Sequence, residues 1–229
     1  MKIFALPEMV KPAILFDMDQ TLYTNDEYAK TQTDLPVARL AKLRGITFER
    51  MHDEIAEYRK KWAGEHNGKS ISLGNTFVSF GISIEENIRW REELYHPEDY
   101  LAADKKLRSA LEKLASRFAL AVVTNNPVSI AARTLSVLGV HDILQKIAGL
   151  DTCCLSKPNR EIFLKAAEFC GTSIDQCISV GDRYDIDIAL PLEMGMGGIL
   201  VDGVEDVYKL PEVLFKNTAT QARCPVGQL

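Results

Sequence analysis

The sequence lacks several features that mark membrane proteins and nucleic-acid-binding proteins. No apolar run in its 229 residues approaches the length needed to cross a bilayer. An excess of basic residues is also missing, since 27 lysines and arginines stand against 32 aspartates and glutamates, for a net charge of −5. A protein that binds nucleic acid or an anionic membrane usually carries a basic stripe. The composition therefore predicts neither a nucleic-acid partner nor a membrane partner.

Cysteine and histidine are sparse as well. The five cysteines form no CxxC pair, and neither they nor the four histidines follow the spacing of a zinc site. Near the first residue, Pro7, Glu8 and Lys11 interrupt any apolar stretch that could serve as the core of a signal peptide. We therefore expect reduced thiols and a cytoplasmic protein.

Short apolar segments alternate with helical patterns, above all after residue 105. The predicted strands are residues 13–16, 118–123, 146–150, 177–180 and 197–201, and the predicted helices are 105–117, 126–138, 159–170 and 185–194. Continuous apolar strands that alternate with helices are typical of a parallel sheet covered on both faces. The sequence therefore predicts an α/β fold, built on a doubly wound parallel sheet of about five strands.

About eighty residues between the first strand and the helix at 105 show helical periodicity and no convincing strand. The helices predicted in this stretch are 35–44, 48–62, 73–80 and 84–95. We expect residues 24–98 to form a small helical cap domain, inserted into a core domain made of residues 1–23 and 99–229. Such a cap would lie over the carboxyl edge of the sheet, where ligands bind in these folds.

Polar residues follow four of the predicted strands. They are Asp17 and Asp19 after the first strand, Thr124, Asn125 and Asn126 after the second, Ser156 and Lys157 beyond the third, and Asp182, Asp185 and Asp187 after the fourth. The carboxyl ends of parallel strands face one edge of the sheet. We therefore expect these side chains to share one crevice.

The acids of this set predict a metal site. Asp17, Asp19, Asp182 and Asp187 would repel one another in a small volume, and each would raise the pKa of its neighbours. A divalent cation relieves that repulsion, and carboxylates together with retained water suit Mg²⁺.

The remaining members of the set predict a phosphate site. Lys157 would offset negative charge and hold an anionic oxygen, and the polar groups and backbone N–H groups of Thr124 and Asn125 would complete the cradle. Carboxylates, magnesium, one lysine and a hydroxyl together indicate phosphoryl transfer through an aspartyl-phosphate intermediate.

Four short motifs resemble those of the haloacid dehalogenase (HAD) superfamily of phosphohydrolases. They are DMDQT at 17–21, VVTNN at 122–126, SKP at 156–158 and GDRYDID at 181–187. Their order and spacing match that superfamily over nearly the whole chain, and the helical insertion is similar to its type 1 cap. The 5′-nucleotidase-like and phosphoglycolate-phosphatase-like branches share this cap placement, and the resemblance implies a HAD-like, Rossmannoid core.

The resemblance implies a role for each matched residue. Asp17 would be the nucleophile and a metal ligand, and Asp19 would be the general acid and base, with its backbone carbonyl on the metal. Thr124 would hydrogen-bond the transferring phosphoryl group with Asn125 behind it, and Lys157 would hold both that group and Asp17.

In the same resemblance, Asp182 completes the Mg²⁺ site and Asp187 acts either directly or through Lys157. The implied activity is hydrolysis of a small phosphorylated metabolite, such as a nucleotide, phosphoglycolate or a sugar phosphate, by a monomer or a homodimer. Two alternatives stay open, a phosphomutase that uses the same aspartates and a catalytically silent binding protein with this fold. A dehalogenase is disfavoured because the dehalogenases of the superfamily lack an acid at the position of Asp19.

Several further polar residues have expected places in the structure. We expect Asn126 to cap the helix that follows it and Asp185 to cap the next helix. Arg91, like Lys60, Lys61 and Arg89, is a candidate contact for an anionic ligand, but a position exposed to solvent is favoured for each. For Arg183 two possibilities are equal, an ion pair with a neighbouring acid or a position outside the site.

Overall fold

A six-stranded sheet forms the centre of the molecule. The computed structural model describes residues 1–6 and 12–221. The strands are Lys2–Ile3 (β1), Ala13–Phe16 (β2), Ala119–Val123 (β3), Ile147–Ala148 (β4), Cys177–Gly181 (β5) and Gly197–Leu200 (β6). Their order is β1-β6-β5-β2-β3-β4, and every neighbouring pair is parallel except β1 with β6. The predicted α/β fold with a doubly wound parallel sheet is confirmed, except that the edge strand β1 is antiparallel.

The sequence pattern did not predict β1. This strand has two residues, both exposed, and it pairs antiparallel with β6 at the edge of the sheet. Two exposed residues give neither an apolar run nor an alternation that a pattern can reveal. The sheet therefore has six strands where about five were expected.

Four helices lie between β2 and β3, ahead of the first helix of the sheet layers. They are Asp26–Arg44 (α1), Phe48–Glu65 (α2), Leu73–Ser79 (α3) and Ile84–Leu94 (α4). Each helix begins after a residue whose side chain accepts a hydrogen bond from the first turn, at Asn25, Thr47, Ser72 and Ser83. We call these four helices the helical insert. They bury a hydrophobic cluster of their own around Phe77 and Trp90.

Helix α1 is longer than the helix predicted over 35–44. It begins at Asp26 and ends at Gly45, which adopts the left-handed conformation with a φ of 65°. Its buried face includes Gln32 and Pro36. Because these two residues break the apolar periodicity, the pattern hides the first half of the helix.

The two segments that join the helical insert to the rest of the chain run side by side. Asn25 Nδ2 donates a 2.8 Å hydrogen bond to the carbonyl oxygen of Tyr100. The rings of Tyr28 and Tyr100 stack with their centroids 5.0 Å apart. The chain therefore enters and leaves the helical insert at one place.

Helices cover both faces of the sheet. They are Lys105–Ala115 (α5), Val128–Val137 (α6), Leu150–Cys153 (α7), Arg160–Cys170 (α8), Ala189–Glu193 (α9), Val204–Val207 (α10) and Leu210–Gln221 (α11). Ile14 and Phe16 of β2 pack with α5 and α6, whereas Ala13 and Leu15 pack with α8 on the opposite face. None of the described helices combines the length and the apolar character that crossing a membrane requires.

The register of the central strands sets the position of the site. Phe16 of β2 lies level with Val122 of β3 on one side and with Val180 of β5 on the other. The residues that follow these three positions therefore emerge together at the carboxyl edge of the sheet, beneath the helical insert.

Candidate active site

Asp17 stands at the end of β2, in the middle of the sheet. Its backbone N–H donates to the carbonyl of Val180 over 2.7 Å, which continues the strand pairing by one residue. The side chain is 3% exposed, and Oδ1 accepts a 2.7 Å hydrogen bond from Lys157 Nζ. A buried carboxylate is costly unless it is paired, and Lys157 supplies the pairing charge.

Lys157 uses every hydrogen of its ammonium group. Nζ donates to Asp17 Oδ1 and to Asp187 Oδ1, both at 2.7 Å, and to the carbonyl oxygen of Val123 at 2.8 Å. Burial lowers the pKa of Lys157, but the charges of Asp17 and Asp187 outweigh it, and the net direction is upward. The ammonium is therefore held charged and in one orientation.

Three carboxylates meet beside Lys157. Asp17, Asp182 and Asp187 can each offer one oxygen atom, and these atoms lie within 4.8 Å of one another. Asp17 Oδ2 and Asp182 Oδ1 are buried and have no hydrogen-bond partner among the described residues. Burial, together with the charge of Asp17, raises the pKa of Asp182 to about 7. Buried carboxylate oxygens without donors fit the coordination preference of Mg²⁺.

Asp187 differs from the other two acids because both of its oxygens have donors. Oδ1 accepts from Lys157, and Oδ2 accepts from the backbone N–H of Arg183 over 3.2 Å. Burial and the charge of Asp17 raise the pKa of Asp187. Gly181 makes room for it, since a Cβ at that position would come within 2.4 Å of Asp187 Cβ.

The carboxylate of Asp19 lies outside this group of three. Oδ1 accepts hydrogen bonds from the Tyr23 hydroxyl and from Gln32 Nε2, and Oδ2 accepts a 2.8 Å hydrogen bond from Asn126 Nδ2. Burial and the charge of Asp17 raise the pKa of Asp19, and the Tyr23 and Gln32 donors oppose that shift. A carboxyl group with a raised pKa and a fixed orientation suits proton transfer.

Thr124 and Asn125 follow β3 at the same edge. The Thr124 hydroxyl is buried and accepts a hydrogen bond from the backbone N–H of Asn126, which leaves its own hydrogen able to donate. Asn125 Oδ1 accepts from the backbone N–H of Lys157 over 2.6 Å. This contact ties the loop that carries Lys157 to the end of β3.

The expectation that Asn126 caps the next helix is wrong. Helix α6 begins after Pro127, and Asp151 Oδ1 accepts the N–H of Val128 at its start. The Asn126 side chain points elsewhere, because its Oδ1 accepts from Arg91 Nη1 over 2.7 Å while its Nδ2 donates to Asp19. Asn126 therefore joins the helical insert to Asp19.

The expectation that Arg91 is exposed to solvent is also wrong. Arg91 lies on α4 with 7% of its surface exposed, and its Nε donates to Asn87 Oδ1 over 2.9 Å. Its guanidinium stands 5.6 Å from the centre of the Tyr95 ring. The sequence contains one signal for this, because Asn87, Arg91 and Tyr95 are spaced by four residues and so share a face of the helix.

The structure also shows the contacts of Arg183 and Asp185. The side chain of Arg183 is 45% exposed, and its Nε lies 3.8 Å from Asp182 Oδ1 and 3.9 Å from Asp187 Oδ2, so it pairs with neighbouring acids. Asp185 does not cap the helix that follows. Instead its Oδ2 accepts a 3.0 Å hydrogen bond from the backbone N–H of Ser70, in the loop between α2 and α3.

A cleft of about 200 Å³ separates the helical insert from the edge of the sheet. Residues of both parts line it, among them Asp19, Asn125, Asp182 and Arg183 from the sheet edge and Gln32, Ser72, Arg91 and Tyr95 from the helical insert. The cleft thus opens onto the acids and the amide at the carboxyl ends of the central strands.

Known proteins resemble this chain in sequence and in fold. Residues 11–195 match the family described as haloacid dehalogenase-like hydrolase. A glyceraldehyde 3-phosphate phosphatase of Methanocaldococcus jannaschii is 26% identical over 198 residues, which cover 82% of this chain and 83% of that protein. A phosphoglycolate phosphatase of Psychrobacter arcticus is 27% identical over 187 residues, which cover 77% of each. The crystal structure of a HAD phosphatase from Thermococcus onnurineus superposes with a TM-score of 0.61 at 19% identity, covering 89% of this chain and 97% of the other.

Proposed function

The chain belongs to the haloacid dehalogenase-like hydrolase family and is a phosphatase, and from this premise we propose that it hydrolyses a small phosphomonoester through a covalent aspartyl-phosphate on Asp17. In this proposal residues 24–98 act as a cap domain over a core domain of residues 1–23 and 99–229. The cofactor is Mg²⁺.

One observation carries the proposal, the pairing of Lys157 with Asp17. Lys157 Nζ contacts Oδ1 of Asp17, whereas Oδ2 of the same carboxylate is buried and accepts no hydrogen bond from the described residues. A carboxylate that accepts a hydrogen bond at one oxygen and none at the other suits a nucleophile that also ligates a cation.

In the first step Asp17 attacks the phosphorus atom. One of its carboxylate oxygens forms a bond to phosphorus while the bond between phosphorus and the ester oxygen breaks. Lys157, the hydroxyl of Thr124 and Asn125 offset the charge on the phosphoryl oxygens. Asp19 gives its proton to the departing oxygen, so that the first product leaves as an alcohol.

In the second step water cleaves the acyl-phosphate. Asp19 has become a carboxylate and takes a proton from the water, whose oxygen bonds to phosphorus as the bond from phosphorus to Asp17 breaks. Inorganic phosphate leaves and the Asp17 carboxylate is restored. The donors from Tyr23, Gln32 and Asn126 keep the Asp19 carboxylate in one orientation through both steps.

The metal site in this proposal is formed by acids and one carbonyl. Asp17, Asp182 and the backbone carbonyl of Asp19 would hold Mg²⁺, and Asp187 would act directly or through Lys157. When bound, the ion supplies positive charge that stabilises the charge developing on the phosphoryl oxygens.

The relatives support a small substrate. Those named glyceraldehyde 3-phosphate phosphatase and phosphoglycolate phosphatase act on phosphate esters with few carbon atoms. Among the expected substrates, a short phosphate ester is therefore favoured over a nucleotide.

The test is phosphate release from a panel of esters, namely p-nitrophenyl phosphate, phosphoglycolate, glyceraldehyde 3-phosphate, a hexose phosphate and a nucleotide. Wild type should release phosphate with Mg²⁺ and stop with EDTA, and Asp17→Asn should be at least about 10³-fold slower. Asp175→Asn, at an exposed position, is the matched control and should keep wild-type rates. Release that survives EDTA and Asp17→Asn would refute the proposal, and isomerised product without phosphate would indicate a mutase.

A further inference from the structure

Arg91 is a buried cation without a direct ion pair among the described residues. Its two hydrogen bonds go to the amide oxygens of Asn87 and Asn126, and Nη2 donates to no described residue. No carboxylate oxygen of the described residues lies within 4.0 Å of the guanidinium. A buried charge is costly unless it is paired, and Arg91 lines the cleft. The guanidinium therefore has capacity for an anionic group that enters the cleft.

The other cations at the site already have partners. Lys157 contacts Asp17 and Asp187 at 2.7 Å, and Arg183 lies within 4 Å of Asp182 and Asp187. Both cations are thus paired with carboxylates on the side where the phosphoryl group would be transferred. Among the described residues of the cleft lining, Arg91 is the cation that makes no direct ion pair, and Asn126 separates it from the Asp19 carboxyl group.

Arg91 also lies on the side of the leaving group. It contacts Asn126, and Asn126 in turn donates to Asp19, the residue proposed to protonate the departing oxygen. With the proposed role of Asp19, an anion bound by Arg91 would belong to the alcohol portion of the ester and would be separate from the phosphoryl group.

We infer that Arg91 binds a carboxylate on the leaving group, so that the substrate is the phosphate ester of a short hydroxy acid. This inference rests on the proposed function, because it assumes that the phosphoryl group occupies the Asp17 side of the cleft. A guanidinium and a carboxylate form two parallel charge-assisted hydrogen bonds. Nη2 and the second hydrogen of Nη1 are available for them, since the other Nη1 hydrogen donates to Asn126. Arg91 and the acids at the carboxyl ends of the strands line the same cleft, so the carboxylate and the phosphoryl group belong to one short molecule.

Binding of two non-hydrolysable ligands tests the inference independently of turnover. 3-Phosphonopropionate carries a carboxylate, and propylphosphonate has a neutral methyl group at the same place. With Mg²⁺ present, calorimetric titration of wild type should give a Kd at least about tenfold lower for 3-phosphonopropionate. In Arg91→Met the two Kd values should come within about threefold of each other, mainly through weaker binding of the carboxylate ligand.

Two variants separate this role from a structural one. Arg89→Met removes an exposed arginine of the same helix that pairs with Glu86, and it should keep the wild-type ratio of Kd values. Arg91→Lys keeps the charge without the planar guanidinium and should give an intermediate ratio of Kd values. This variant also serves as the test if Arg91→Met does not fold.

Three outcomes would overturn the inference. Equal Kd values in wild type would refute it while leaving the phosphate-release assay unaffected. An equal rise in the Kd of both ligands in Arg91→Met would mean that Arg91 acts on the phosphoryl side or supports the fold. Absence of binding of either ligand, with no ester hydrolysed, would refute the inference together with the proposed function.

Discussion

Asp182 combines burial with a position next to another acid. Its pKa rises to about 7 as a result, so the folded protein holds a proton there that the unfolded chain has already lost. Above the ordinary aspartate pKa of about 3.9 and up to about 7, the native state thus binds more protons than the unfolded state. Asp19 and Asp187, whose pKa values are also raised, act in the same direction.

We therefore predict that the metal-free protein loses stability as the pH rises from 5 to 7. One proton contributes at most about 1.4 kcal/mol of unfolding free energy per pH unit. The measurement is urea unfolding in EDTA at pH 5, 6, 7 and 8. Asp182→Asn removes one titrating group and should flatten the profile. A slope equal to that of wild type would show that Asp182 does not titrate in this range.

Gly181 leaves the space that the Asp187 side chain occupies. A Cβ at this position would overlap the Asp187 side chain, with contacts of 2.4 Å to Cβ and 2.7 Å to Cγ. Gly181→Ala should therefore cost about 1–3 kcal/mol of stability, as overpacking in a buried position does. Activity should fall as well, since Asp187 must move away from Lys157.

Gly64→Ala is the matched control for that substitution. Gly64 lies inside α2, and a Cβ added there would meet no neighbouring atom within 4 Å. Alanine should stabilise the helix at this position by about 0.5–1 kcal/mol. Thermal melting of both variants checks the pair, and similar shifts in the melting temperature would argue against steric overlap at Gly181.

Among the helices, α6 is capped from outside its own segment. Asp151 Oδ1 lies 2.9 Å from the N–H of Val128 and replaces the predicted local cap at Asn126. Asp151→Ala should cost about 1 kcal/mol in the free energy of unfolding, which is typical of a lost cap. Asn126 should be unaffected, so the variant should bind phosphonate ligands as wild type does. A parallel loss of ligand binding would mean that the cap also orients Asn126.

Elements with a continuous apolar pattern were predictable from sequence, and others were not. The central strands and α8 appear close to their predicted bounds because their buried residues are apolar and regularly spaced. The first half of helix α1 was not predicted because Gln32 and Pro36 occupy its buried face. Strand β1 was not predicted because both of its residues are exposed. The hydrophobic pattern of a sequence indicates which residues are buried only where those residues are apolar.

Across the molecule, the site collects residues from distant parts of the chain. The motif order allowed us to expect that Asp17, Lys157, Asp182 and Asp187 would share one crevice, because parallel strands end at one edge. The contribution of Arg91 could not be predicted in the same way. It depends on how the helical insert packs against the sheet edge, and no local pattern encodes that packing.

Because the acids come from separate segments, a bound cation should stabilise the whole fold. We predict that Mg²⁺ raises the melting temperature, with a gain of about 2.7 kcal/mol at a concentration of 100 Kd. Asp182→Asn should lose most of this gain. Sodium chloride at equal ionic strength is the control, and an equal rise in its presence would attribute the effect to screening of the acids rather than to a bound ion.

The paired entry and exit of the helical insert has an evolutionary consequence. Asn25 and Tyr100, joined by a hydrogen bond, mark two neighbouring points of the chain between which the whole helical insert is spliced. A module attached at one place can change in length or sequence without shifting the register of any strand. The contacts that cross to the sheet edge, from Gln32 to Asp19 and from Arg91 to Asn126, restrict this freedom. We therefore expect variation in the helical insert to concentrate at positions away from these two residues.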